Sequence, residues 1–163
     1  MKKTLLLIVL LLSIVAPLKV NAAGASVTGT TSVEAGKRFS ITFAVTGTSN
    51  LAGVESVIAF NSNHFSIANT TNLGSSSATY FNRTSRKYTD FWTESPKNGT
   101  VQFLRIEFQT LAAFTPGTTS AISMTSTFVT QGTTESSVAN QSITVTSVAP
   151  KSTTNTLSSI SIN

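Results

Sequence analysis

The stretch Arg38–Thr46 reads RFSITFAVT, and its alternation decides the fold class. Phe39, Ile41, Phe43 and Val45 fall on one side of an extended chain, while Arg38, Ser40, Thr42, Ala44 and Thr46 fall on the other. A period of two, with one dry and one wet face, is the signature of a half-buried β-strand. Just upstream, Glu34-Ala35-Gly36 forms a turn whose glycine can take positive φ. It joins a short first strand near Ala25–Gly29 to this one.

The same reading extends down the chain. Val54–Phe60, Phe65–Ala68, Ala78–Asn82 and Lys87–Thr93 are predicted strands, the last pair flanking a polar turn. Thr100–Leu111 places Leu104, Ile106 and Phe108 on one face; Ile122, Met124 and Phe128 share a face in the next run, and Ile143 with Val145 marks the last. Pro96-Lys97-Asn98-Gly99 and Thr115-Pro116-Gly117-Thr118 supply turn chemistry between them. The spacing predicts about nine strands and an all-β sandwich or barrel.

Composition agrees. The chain is heavy in Ser and Thr, rich in Phe and Val, and poor in the residues that long helices need. Met1–Ala22 has the layout of a secretory signal peptide: a Met1-Lys2-Lys3 start, an apolar run from Leu5 to Ala16 broken only by Ser13, and small residues at Val20-Asn21-Ala22. It is too short and too poorly flanked to argue for a membrane span. Lys2, Lys3 and Lys19 belong to it, so the formal net charge of +5 falls to +2 in the mature chain. Arg83, Arg86 and Lys87 form one small basic cluster, read as a solvated loop, and no basic stripe suited to nucleic acid remains. Cysteine is absent, which excludes thiol nucleophiles and cysteine-ligated metals. A domain is expected over 23–147, then a Ser/Thr/Pro linker over 148–156. Leu157, Ile160 and Ile162 open a further β segment or tail at 157–163.

The order of pieces resembles the cohesin domain family. The resemblance is carried by GTTSVEAGKRFSITFAVTGTSNLAGVESVIAFNSNHFSI, Gly29–Ile67, where a short strand and a Gly-containing turn precede an alternating strand. A loop and a Gly-containing strand ending in an aromatic follow. TVQFLRIEFQTLAAFTPGTTSAISM, Thr100–Met124, is similar to the family's two strands joined by a Pro-Gly turn. Phe60-Asn61-Ser62-Asn63 stands where cohesins carry an Asp-Pro turn, with Asn keeping the turn chemistry. The resemblance implies a nine-stranded β-sandwich of jelly-roll type, shared with several carbohydrate-binding modules. It also implies a sheet face that binds a dockerin partner through Val54–Phe60 and its neighbours. Glu55 matches an acidic or polar position on that face, and Val57 and Ala59 point the same way.

No catalytic constellation is legible. His64 is the single histidine and Asp90 the single aspartate, so a Ser-His-Asp arrangement would have to use both. His64 falls in a structural turn instead. Asp90 and Glu94 on one strand would stand about 13 Å apart, too far for a glycosidase pair. Glu55 with Glu107 is the remaining carboxylate combination. Acidic residues are too scattered for a metal site, and no cofactor is implied.

Binding chemistry is better represented. In RKYTDFWTES, Arg86–Ser95, alternation puts Tyr88, Asp90 and Trp92 on one face and Thr89, Phe91 and Thr93 on the other. If Phe91 points inward, Tyr88 and Trp92 are presented outward around Asp90, as a platform for sugar rings or a protein anchor. With the opposite parity Trp92 fills the sandwich. Glu55, Val57, Tyr88, Asp90 and Trp92 are therefore the candidate ligand-binding residues. The expected function is a secreted or cell-surface, non-catalytic recognition module within a larger protein, binding a dockerin-like protein or a polysaccharide. The alternative is a structural spacer in an adhesin or stalk.

Overall fold

A computed structural model describes residues 23–74, 80–132 and 136–151. The expected signal peptide, residues 78 and 79 of one expected strand, most of the linker and the final segment lie outside the described residues. The described chain is all β: β1 (Gly24–Gly29), β2 (Ser32–Glu34), β3 (Arg38–Phe60), β4 (Phe65–Asn72), β5 (Tyr80–Asn82), β6 (Lys87–Phe91), β7 (Lys97–Thr110), β8 (Thr119–Thr130) and β9 (Ser136–Val148).

These nine strands form the expected β-sandwich, with one redistribution. The two runs read as separate strands, 38–46 and 54–60, are one long β3 shared by both sheets. Its first half lies between β1 and β7, with β4 beyond β7. Its second half lies between β8 and β6, with β9 and β2 beyond β8 and β5 beyond β6. The count stays at nine because Ser32–Glu34 forms a strand of its own, parallel to the end of β9.

The change of sheet occurs at Gly47–Asn50. Gly47 and Asn50 both take left-handed φ, 65° and 51°, a conformation that glycine and asparagine tolerate best. The corner is tied from outside: Asn50 N–H donates to Asn98 Oδ1 at 2.7 Å, and the Thr48 hydroxyl donates to the Gly99 carbonyl at 2.9 Å. The PKNG turn read from the sequence thus fastens the bend of β3.

The core lies between the sheets. Phe39, Ile41, Phe43 and Val45 are all buried, as alternation requires, and Ala44 is buried with them. Phe39 stacks on Phe108 at 5.5 Å, while Phe65 packs edge-on against Phe39 at 5.3 Å and against Phe114 at 4.8 Å. Each such ring contributes about 1.5–3 kcal/mol through burial. Leu104, Ile106 and Phe108 face inward as expected, but so does Phe103. Pairing jumps from Phe43↔Leu104 to Ala44↔Gln102, leaving Phe103 as the extra residue of a bulge.

The polar break after β3 is a turn closed by its own asparagine. The Asn61 carbonyl accepts from His64 N–H and Phe65 N–H, and Asn61 Oδ1 accepts from Asn63 N–H at 2.9 Å. Arg83, Arg86 and Lys87 do not act as one cluster. Arg86 lies 3.9 Å over the Phe60 ring and donates to the Phe60 carbonyl, Lys87 pairs with Glu55, and Arg83 reaches the Thr70 hydroxyl. The rings and carbonyls that disperse them come from distant strands and are invisible to a local charge reading.

Candidate functional site

The parity of β6 is set by its pairing with β3. Val54 is a core residue and stands opposite Asp90; Ser56 is buried and stands opposite Tyr88. Paired residues in a sheet share a face, so Tyr88, Asp90 and, just past the strand, Trp92 point inward. Trp92 is 4% exposed, whereas Phe91 is 55% exposed. The outward presentation of Tyr88, Asp90 and Trp92 is therefore overturned: the platform orientation is reversed, and these three side chains form core.

A carboxylate can sit there because it is hydrogen-bonded. Asp90 Oδ2 accepts from the Tyr88 hydroxyl at 2.8 Å, and Asp90 Oδ1 accepts from Phe91 N–H at 2.8 Å. Tyr88 also contacts Asn72 Oδ1 at 3.3 Å and packs against Phe103 at 4.6 Å between ring centroids. Gly74 lies directly against this pair, and a Cβ there would collide with Asp90 Oδ2 and the Tyr88 oxygen.

Glu55 and Val57 are exposed on the outer face of the β9-β8-β3-β6-β5 sheet, with Ala59 beside them. Register shows their neighbours. One row across the sheet is Val138, Thr127, Glu55, Thr89 and Tyr80; the next is Val129, Gly53 and Phe91; a third is Asn140, Thr125, Val57, Lys87 and Asn82. Among the described residues, the exposed large hydrophobics are Val57, Tyr80, Phe91, Val129, Val138 and Val148, and the first five occupy these rows. Sequence reasoning missed Tyr80, Phe91, Val129 and Val138. For Phe91 the opposite parity of β6 was the signal that could have found it.

Gly53 shapes the centre of this face. Without a side chain it leaves a trough between Phe91 and Val129, a groove of about 420 Å³ lined also by Ala52, Glu55, Thr93 and Thr127. Beside it, Glu55 and Lys87 make an exposed ion pair at 2.7 Å. The outer face of the other sheet is different in kind: Ser40, Thr42, Arg105 and Glu107 lie on it, with Arg38 and Glu107 paired at 3.4 Å.

Among the described residues, the carboxylate and His-Asp pairings considered from the sequence do not come together. Glu55 and Glu107 lie on opposite outer faces of the sandwich. His64 precedes β4, while Asp90 abuts Gly74 beyond the other end of that strand. His64 instead packs 5.4 Å from Phe114 and contacts Asn61. Among the described residues, no three His, Asp or Glu side chains converge as metal ligands would.

No family model and no curated protein matches the chain. Solved structures do. A cohesin module from a family 33 glycoside hydrolase of Clostridium perfringens ATCC13124 superposes with a TM-score of 0.66 at 10% identity, over 78% of this chain and 98% of that one. A non-cellulosomal cohesin from the hyperthermophilic archaeon Archaeoglobus fulgidus gives 0.59 at 8%, over 76% and 92%. The full-length major pilin SpaD from Corynebacterium diphtheriae gives 0.59 at 11%, over 76% of this chain and 34% of the pilin. Identities this low speak to architecture alone, and on that ground the chain has a cohesin-like fold.

Proposed function

We propose that this chain is a non-catalytic recognition module that binds a protein partner through the outer face of the β9-β8-β3-β6-β5 sheet. The observation that carries the reading is the gathering of Val57, Tyr80, Phe91, Val129 and Val138 on that one face. An apolar patch rimmed by threonines and an ion pair is what a protein interface uses, with aromatic anchors at its centre. The cohesin resemblance favours a dockerin-like partner, since the same sheet is implied there. A plain spacer has no need of such a face. The leader reading of Met1–Ala22 supports a place outside the cytoplasm, at the cell surface or in the medium, within a larger protein.

A polysaccharide is the second reading. It draws support from Tyr80 and Phe91, which stand diagonally across β5 and β6, within reach of one another on the outer face. The trough between Phe91 and Val129 has few hydrogen-bonding groups, which favours an apolar side chain over a sugar.

The test is binding of the immobilised chain to a panel of dockerin modules and to a panel of polysaccharides, beside its Phe91→Asp variant. Saturable binding of a dockerin, lost in the folded variant, supports the proposal. Retention by polysaccharide alone replaces it with the second reading, and no binding by either panel turns the weight to a spacer.

A further inference from the structure

At one end of the sandwich, away from the apolar face, a second depression opens where the end of β4 meets the start of β7. It measures about 270 Å³ and is lined by Leu73, Gly74, Trp92, Lys97, Asn98, Thr100, Val101 and Gln102. Its lining is mainly polar, in contrast to the trough at Gly53. Every ionisable or hydrogen-bonding side chain in it can donate: the Lys97 ammonium, the Asn98 and Gln102 amides, the Thr100 hydroxyl and the Trp92 indole.

Two details of these donors matter. The Trp92 indole N–H is shielded from water and has no acceptor among the described residues, although the residue is only 4% exposed. A buried donor left unpaired costs about 1–3 kcal/mol, so such groups are few and call for an explanation. Lys97 makes no ion pair among the described residues, where the pairs are Arg38–Glu107 and Lys87–Glu55. Asn98 Oδ1 is already occupied by Asn50 N–H, which leaves the amide –NH2 of Asn98 to face a ligand. Asp90 stands behind Gly74, is wholly buried and accepts from Tyr88 and Phe91.

We infer that this pocket is a binding site for an acidic saccharide unit, a hexuronate in its simplest form. The ring hydroxyls of such a unit match the amides and hydroxyl of the lining, and its carboxylate brings the negative charge that no lining residue supplies. Lys97 supplies the countercharge, Asn98, Thr100 and Gln102 hold oxygens at the rim, and Trp92 closes the inner wall. The site is separate from the Phe91 face, so one protein can hold a protein partner and a sugar at once.

Trp92 is the only tryptophan, so its indole N–H gives a single resonance that reports on this pocket alone. The experiment titrates the 15N-labelled chain with glucuronate, with glucose as the neutral control and acetate as the carboxylate control. It is repeated with Lys97→Met and Phe91→Asp. The inference expects a saturable shift of the indole resonance with glucuronate, weaker by about tenfold or more in Lys97→Met and unchanged in Phe91→Asp. An equal response to glucose overturns the assignment to an acidic sugar, and an equal response to acetate reduces it to a generic anion site. No movement of the indole or of the Lys97–Gln102 amides with a large excess of glucuronate overturns the site itself.

Discussion

The Tyr88 hydroxyl donates a 2.8 Å hydrogen bond to Asp90 Oδ2, and neither residue has any solvent exposure. They sit two residues apart on one face of β6, joined within the core. Tyr88→Phe removes the donor and keeps the ring against Phe103. The expected loss is about 1–3 kcal/mol of unfolding free energy in urea, with the slope unchanged. A loss within error would mean that the bond is not what holds Asp90 inside.

Gly74 presses on the same pair from just beyond the end of β4. Gly74→Ala places a methyl group into Asp90 Oδ2 and the Tyr88 oxygen, so it is expected to lower the midpoint of thermal unfolding more than Gly36→Ala, where the added Cβ meets nothing but must hold left-handed φ. Equal midpoints for the two variants would count against the close approach.

Trp92 is a core residue, so its fluorescence is expected to be blue-shifted in the native chain and to move to the red on denaturation. Trp92→Ala should cost about 3–5 kcal/mol, as removal of a large buried ring does. A native spectrum like that of a free indole in water, strongly quenched by iodide, would contradict the inward parity of β6.

Phe91→Ala is the counterpart. The side chain is 55% exposed, so stability should change by no more than about 0.5 kcal/mol, while affinity for a protein partner falls by at least about tenfold if it is an anchor. Both quantities come from one preparation, by chemical denaturation and by surface binding.

The Glu55–Lys87 ion pair is half exposed on both sides. A double-mutant cycle with Glu55→Gln and Lys87→Met should return a coupling of about 0–1 kcal/mol that shrinks as salt is added. A coupling well beyond that range would give the pair a structural weight that its exposure argues against.

Where the sequence could be read and where it could not follows from what each segment buries. RFSITFAVT separates four large apolar side chains from polar ones so cleanly that only one parity is open. KYTDFW does not: one parity offers Tyr, Asp and Trp, the other Lys, Thr and Phe, and neither is plainly the dry one. Its orientation depends on Val54 lying opposite Asp90, a contact between distant strands. The carboxylate is acceptable inside only because Tyr88 and Phe91 N–H meet it. Glu55 and Val57 were legible through the cohesin resemblance, and the alternation of their strand against Val54, Ser56 and Ile58 is what exposes them. Val129 and Val138 were not, since Val129 follows the core residue Phe128 and Val138 sits in the weakly patterned SSVANQ, and only the pairing of β9 with β8 and of β8 with β3 brings them onto one face. The Phe103 bulge was hidden for the same reason, as an extra residue shows itself only against a partner strand.

A single strand running from Arg38 to Phe60 through both sheets means that each sheet is built around one half of the same strand. Removing Leu51–Phe60 from the second sheet would take away the partner of β8 and β6 together, and removing Arg38–Thr46 would do the same to β1 and β7. The four residues Gly47–Asn50 are thus the seam of the molecule. Cutting the chain there would leave β1, β2 and Arg38–Thr46 on one fragment and β7, the other neighbour of Arg38–Thr46, on the second, so the first sheet would be divided between the two.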